Sequence, residues 1–169
     1  GHGHALVLGD VSDPGDARDI VRQADAAVGP LDVLVCNAAV APTTANRHVI
    51  GETTYEDWGD VFHQMVSVNL LASANLAWAF ASQAIGRRSS GAIVNIGSRG
   101  VFRGEPEHPA YAASKGGLHA LGQSLALALA PHSISVATVA PGFVATARQL
   151  AKLDGQHKFF RFRIPTTAH

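Results

Sequence analysis

The chain has 169 residues, 47% of them hydrophobic, with 13 basic and 13 acidic side chains and no formal net charge. That length supports one domain with a sizeable core. The balanced charge offers no electrostatic footprint for nucleic acid or an anionic membrane. A single cysteine, Cys36, excludes an internal disulfide and fits a reducing, cytoplasmic setting. No apolar run reaches the roughly 18 residues of a membrane-spanning helix, so no membrane is expected as a partner. The nine histidines are scattered and no His-Glu-x-x-His is present, so no metal is expected.

Ala5-Leu6-Val7-Leu8, ending at Gly9-Asp10, reads as a buried strand with a polar residue at its carboxyl tip. Asp13 followed by Pro14 is a helix start, a capping carboxylate before a proline at the first helical position. Ala17, Ile20, Val21, Ala24 and Val28 then recur at helical spacing, and Gly29-Pro30 ends the helix. Leu31 to Cys36 is the next strand. Strand, helix and strand within about thirty residues predict a βαβ unit, hence parallel pairing. Asn37-Ala38-Ala39 comes directly after it. Its small residues let a flat ligand approach the backbone, although by itself the triplet reads equally well as a plain strand-end turn.

Ala41 to Thr54 is a polar, irregular loop. A long helix runs from near Thr54 toward Ile85, with Trp58, Val61, Phe62, Met65, Val68 and Leu71 on its apolar side. Asn69 interrupts that side, and a buried amide left unpaired costs about 1–3 kcal/mol, so it needs partners. Gly86 to Gly91 is a turn, and Ala92 to Ile96 is the central strand leading to Ser98. After the loop Arg99 to Pro109, a second long helix runs from Pro109 to Pro131. Ala112, Ala113, Gly116, Gly117 and Ala120 make it small-faced enough for another backbone to pack close. Ser135 to Ala140 is a further strand, delivering Pro141-Gly142-Phe143-Val144-Ala145-Thr146. Lys158 to Arg163 interleaves basic and aromatic residues; in a neutral chain this reads as part of a substrate lid, residues 147–169, rather than a nucleic-acid surface.

Tyr111 and Lys115 stand four apart on the second long helix and so share a face. A phenol ordinarily titrates near pH ~10, and an ammonium beside it favours the ionised form. Such a tyrosine can act as acid or base near neutral pH. Ser98 closes the central strand, where open α/β sheets place their ligands. Taken in order with Asn37-Ala38-Ala39 and Pro141-Gly142, this set resembles the short-chain dehydrogenase/reductase family, from about Ala5 to about Pro165.

The resemblance implies an α/β, Rossmann-like, doubly wound parallel sheet in one domain over residues 1–169. It further implies an oxidoreductase that uses NAD or NADP to interconvert a secondary alcohol and a ketone. In that role Tyr111 would pass the proton and Lys115 would hold the nicotinamide ribose. Ser98 would bond the substrate oxygen, and Asn69 would seat a relay water. Asp10 and Val11 would meet the adenine ring, and Asn37, Ala38 and Ala39 would line the cofactor floor. Pro141, Gly142, Val144 and Thr146 would hold the carboxamide and phosphate ends. Arg103, His108 and Phe143 would shape the substrate pocket. A homodimer or homotetramer through the two long helices is also implied.

Three departures from the family pattern stand out. Ala39 replaces the usual glycine, and the segment from Trp58 to Asn69 is about one helical turn longer than that pattern. The glycine-rich strand–turn–helix that receives the pyrophosphate is not found, nor are the closing helix and strand. The sheet is therefore expected to be incomplete at both ends, and the 169-residue polypeptide alone to bind nicotinamide nucleotide weakly. The alternative reading is a catalytically silent piece of this fold, acting, if at all, through helix-mediated association. The residue that selects NAD or NADP comes after the family's second strand, so that choice stays open.

Overall fold

The structure, a computed structural model, describes residues 3–142 and 144. Helix α1 (Pro14–Val28) begins as its sequence dictates: Asp13 accepts from the backbone N–H of Asp16 at 2.9 Å, and Pro14 holds the first helical position. Such a cap stabilises a helix by about 1 kcal/mol. Gly29 ends the helix at φ 90°, a conformation that favours glycine. Strand β1 (Val33–Cys36) is next, then α2 (Tyr55–Val66) and α3 (Ala72–Arg87), β2 (Gly91–Ile96), α4 (Pro109–Leu129) and β3 (Ile134–Val139). Phe143, Ala145, Thr146 and the expected lid, 147–169, lie outside the described residues.

The three strands form one parallel sheet in the order β1-β2-β3, with Cys36, Asn95 and Thr138 level across it. The architecture is the expected α/β fold with a parallel sheet. One face carries Cys36, Ile93 and Ile134 and is covered by α1, α3 and α4; Phe80 of α3, 1% exposed, sits at the centre of this core. Burying such a side chain is worth about 1.5–3 kcal/mol. No described element covers the other face, where Val33, Val35 and Val139 are 56%, 54% and 47% exposed.

The first expected strand does not form. Leu6 and Leu8 are 85% and 81% exposed, and residues 5–8 join no ladder. An apolar run becomes a strand only where another strand accepts its backbone groups, and the described residues place none beside it. Val11, just beyond, does pack against the core.

The long helix also differs from its reading. Tyr55–Arg87 is helical throughout, but Ser67–Leu71 is a π turn, with the Ala72 N–H reaching back to the Ser67 carbonyl. An extra residue in one turn rotates the rest of the helix by about 100°. Leu71, expected on the apolar side, is 48% exposed as a result, and Leu70 instead meets α4 at Gly117. This helical stretch is also long and apolar enough to cross a membrane by length and composition, contrary to the sequence reading. Half of its apolar window is buried within the fold, as in a core helix.

The small residues of α4 serve close approach within the chain. A Cβ at Gly122 would overlap the Thr138 hydroxyl and come within 3.3 Å of Asn95 Nδ2, so the helix lies directly on β2 and β3.

Candidate active site

The level carboxyl ends of the strands build one cleft of about 480 Å³. After β1 the chain supplies Asn37 and Ala39; after β2, Gly97 and Ser98; after β3, Pro141 and Gly142; and α4 contributes Tyr111 and Lys115. The β2–β3 ladder continues irregularly into the site. Gly97 N donates to Val139 O at 2.8 Å and Arg99 N to Pro141 O at 3.3 Å, which holds Ser98 beside Pro141.

Ser98 is extended, and its Oγ accepts from the Gly100 N–H at 3.0 Å, capping the short turn Arg99–Phe102. A hydroxyl that accepts in this way keeps its own proton to donate. Lys115 is 3% exposed and donates from Nζ to Ile96 O at 2.7 Å. Burial lowers its pKa from the usual lysine range, partly offset by the Cys36 sulfur. An ammonium carries three protons, so two remain for the cleft. The Tyr111 hydroxyl bonds to no described residue and so has no partner there to compete with a ligand. Cys36 is buried, and desolvation pushes its thiol up to about 11.

Asn69 lies behind the cleft, fully buried in the π turn. Its Oδ1 accepts from Val40 N at 2.7 Å, and its Nδ2 donates to Val40 O at 3.2 Å and to Ser114 Oγ at 3.1 Å. Ser114 in turn donates to Tyr111 O at 3.0 Å. The amide thus ties the segment after β1 to the helix turn bearing Tyr111. Asp10, Val11, Ala38 and Val144 are not among the cleft-lining residues; the Asp10 carboxylate accepts from the N–H and hydroxyl of Ser12, which lower its pKa. Of the pocket residues suggested by sequence, Arg103 lines the cleft, while His108 Nε2 bonds to Thr43 O at 2.9 Å.

His48 was not legible in the sequence, since it sits in a loop without periodicity. It is fully buried, and its Nε2 accepts from the Ala110 N–H at 3.0 Å while Nδ1 faces Asn46 O at 2.8 Å. The bonding fixes the proton on Nδ1. Trp58 and Phe62 contact its ring edge-on at 5.4 and 5.9 Å. The N-cap of α4, His108, makes no side-chain cap, so this imidazole satisfies an N–H of the first turn from 62 residues away. Replacing His48 by Ala is expected to destabilise the protein by about 1–3 kcal/mol by orphaning a buried donor. A denaturation midpoint equal to wild type would contradict this.

The donor set fits a nicotinamide nucleotide at its nicotinamide–ribose end: two free ammonium protons, a hydroxyl and a phenol face a floor of small residues. Among the described residues no group of three His, Cys, Asp or Glu side chains is placed to hold a metal ion.

Comparison with known proteins identifies the family of the chain. The family model for short chain dehydrogenases matches residues 2–156. The chain is 33% identical to an L-rhamnose 1-dehydrogenase (NAD(P)(+)) of a Sphingomonas species, over 90% of this chain and 57% of that protein. It is 35% identical to an L-xylulose reductase of Mesocricetus auratus, over 83% of this chain and 54% of that protein. A solved Sinorhizobium meliloti structure, provisionally assigned as a short-chain alcohol dehydrogenase, superposes with a TM-score of 0.78 at 28% identity, covering 89% of this chain and 56% of that one. The chain thus spans about half the length of the curated relatives it matches.

Proposed function

Because the chain belongs to the short-chain dehydrogenase family, we propose that its protein is an NAD(P)-dependent oxidoreductase interconverting a secondary alcohol and a ketone. The observation that carries this reading is the shared cleft of Ser98, Tyr111 and Lys115 at the carboxyl ends of parallel strands. When bound, the nicotinamide accepts or supplies the hydride. The protein orients the substrate and handles its proton. Ser98 donates its O–H to the substrate oxygen, where negative charge grows in the transition state. Tyr111 takes the alcohol proton during oxidation and returns it during reduction. Lys115, anchored on Ile96 O, directs its remaining protons at the ribose hydroxyls and places positive charge near the phenol.

Asn69 acts in this scheme chiefly by positioning, since both of its N–H groups are engaged by protein atoms; the relay water would be seated by the surrounding π turn. Asn37, Ala38 and Ala39 form the cofactor floor, and Pro141, Gly142, Val144 and Thr146 hold the carboxamide and phosphate ends. Asp10 and Val11 meet the adenine. The exposed apolar side chains Leu71, Trp78 and Leu127 on the two long helices support association as a homodimer or homotetramer.

The test is a nicotinamide absorbance assay of the full-length protein with NAD and with NADP, against secondary alcohols and ketones. Turnover with at least one cofactor is expected. Cofactor binding without turnover of any alcohol or ketone would overturn the reading.

A further inference from the structure

Among the described residues, four charged side chains line the cleft: Arg99, Arg103, Glu105 and Lys115. Their commitments are unequal. Glu105 presents no free charge to the open cleft, because its Oε1 accepts from Arg103 at 3.3 Å and packs on the backbone of Gly100, where a Cβ would stand 2.5 Å away. Arg103 is thereby held and partly neutralised. Lys115 is committed to Ile96 O. Arg99 alone among them makes no side-chain hydrogen bond or ion pair with any described residue, whereas Arg47 and Arg87 elsewhere in the fold are each paired with carboxylates.

The backbone of Arg99 is fixed. It stands directly after Ser98, its N–H is bonded to Pro141 O at 3.3 Å, and its side-chain stem runs beside Gly142. A guanidinium unpaired among the described residues is therefore built into the wall of the cleft, one residue from the hydroxyl that meets the substrate oxygen. A guanidinium presents a planar fork of donors suited to carboxylate and phosphate oxygens. Three cations face one carboxylate that is already engaged, so the described cleft has surplus positive charge.

From this, resting on the oxidoreductase reading above, we propose that the substrate is an anionic alcohol or ketone, with a carboxylate or phosphate close to the reacting carbon. Arg99 is the specificity-determining residue that binds the anionic group, and Arg103, steadied by Glu105, is its secondary support. An uncharged alcohol of the same shape leaves the Arg99 fork unsatisfied and loses the charge-assisted bonds.

The experiment compares matched pairs on the full-length protein with NAD and NADP: beta-hydroxybutyrate against its methyl ester, and glycerol phosphate against glycerol. The anionic member of at least one pair is expected to have the higher kcat/KM by about tenfold to a hundredfold. Which pair shows the preference distinguishes carboxylate from phosphate. Arg99→Gln is expected to remove the preference by lowering the anionic member's kcat/KM far more than the neutral member's, and Arg103→Gln to reduce it less. Equal turnover of both members in both pairs, or an equal loss for charged and neutral members in Arg99→Gln, would overturn the proposal.

A calorimetric titration separates this failure from failure of the oxidoreductase reading. The probes are alpha-hydroxyisobutyrate, a tertiary alcohol that cannot be oxidised, and inorganic phosphate. Binding of either that is lost in Arg99→Gln, in a protein that turns over no alcohol, would support the anion site and remove the enzymatic role. Absence of binding by both, together with absence of any anionic preference, would remove the anion site. A melting temperature within error of wild type confirms that Arg99→Gln is folded.

Discussion

Tyr111→Phe is expected to lower kcat by about 10²–10⁴-fold, the range that a positioned acid or base contributes, while cofactor affinity and melting temperature stay at wild-type values. The second half of that expectation comes from the geometry. The ring is half-buried on the first turns of α4, and phenylalanine refills the same volume. The phenolic oxygen bonds to no described residue, so its removal breaks no hydrogen bond among them. A loss of turnover without loss of stability therefore isolates the proton-transfer role. Single-turnover kinetics with saturating cofactor read it directly. Wild-type kcat in the variant would remove the tyrosine from the mechanism, and a large drop in melting temperature would instead assign it to packing.

Asn69→Ala is expected to act through the scaffold. The amide bridges three places: the π turn it belongs to, Val40 after β1, and Ser114 on α4. Alanine leaves the Val40 N–H and the Ser114 hydroxyl short of partners in a buried setting. An orphaned buried group costs about 1–3 kcal/mol, and for a chain of this size that corresponds to a fall in melting temperature of roughly 2–12 °C. Because Ser114 bonds to Tyr111 O at 3.0 Å, looseness at Asn69 reaches the tyrosine. The expected kinetic signature is a lowered kcat with an unchanged pH profile, since no titrating group is removed. A variant with wild-type melting temperature and a displaced pH profile would show the amide acting directly in proton transfer.

What the sequence made legible was local. The Asp13-Pro14 start of α1 and its glycine end are read from single residues whose backbone demands are known, and both stand where expected. The central strand and the helix with Tyr111 and Lys115 are also found, because strong apolar runs and a four-residue spacing survive in any tertiary context. The failures depend on partners remote in sequence. Residues 5–8 look like a strand, yet a strand exists only with a ladder beside it, and alternation along one segment does not report that. The helical periodicity from Trp58 onward was legible, but whether the backbone keeps a regular turn or opens into a π turn is decided by packing, so Leu71 was placed on the wrong side. His48 carried no signal because its partners, Ala110, Trp58 and Phe62, converge only in three dimensions. Arg99 and Glu105 sat unmarked in a loop, and only the fold shows that, among the described residues, one is unpaired and the other engaged.

The π turn also bears on which insertions and deletions the protein can survive. Removing one residue from Ser67–Leu71 would let the helix close into a regular spiral, and a regular spiral is the more favourable local geometry. The deletion and the loss of the wide turn each shift the phase by about 100°, in opposite senses, so Leu76, Phe80 and Ala84 would keep facing the interior they now fill. The downstream stripe is thus kept in frame by that one irregular loop of backbone, and losing a residue there other than Asn69 would spare the packing that the same loss further along the helix would break.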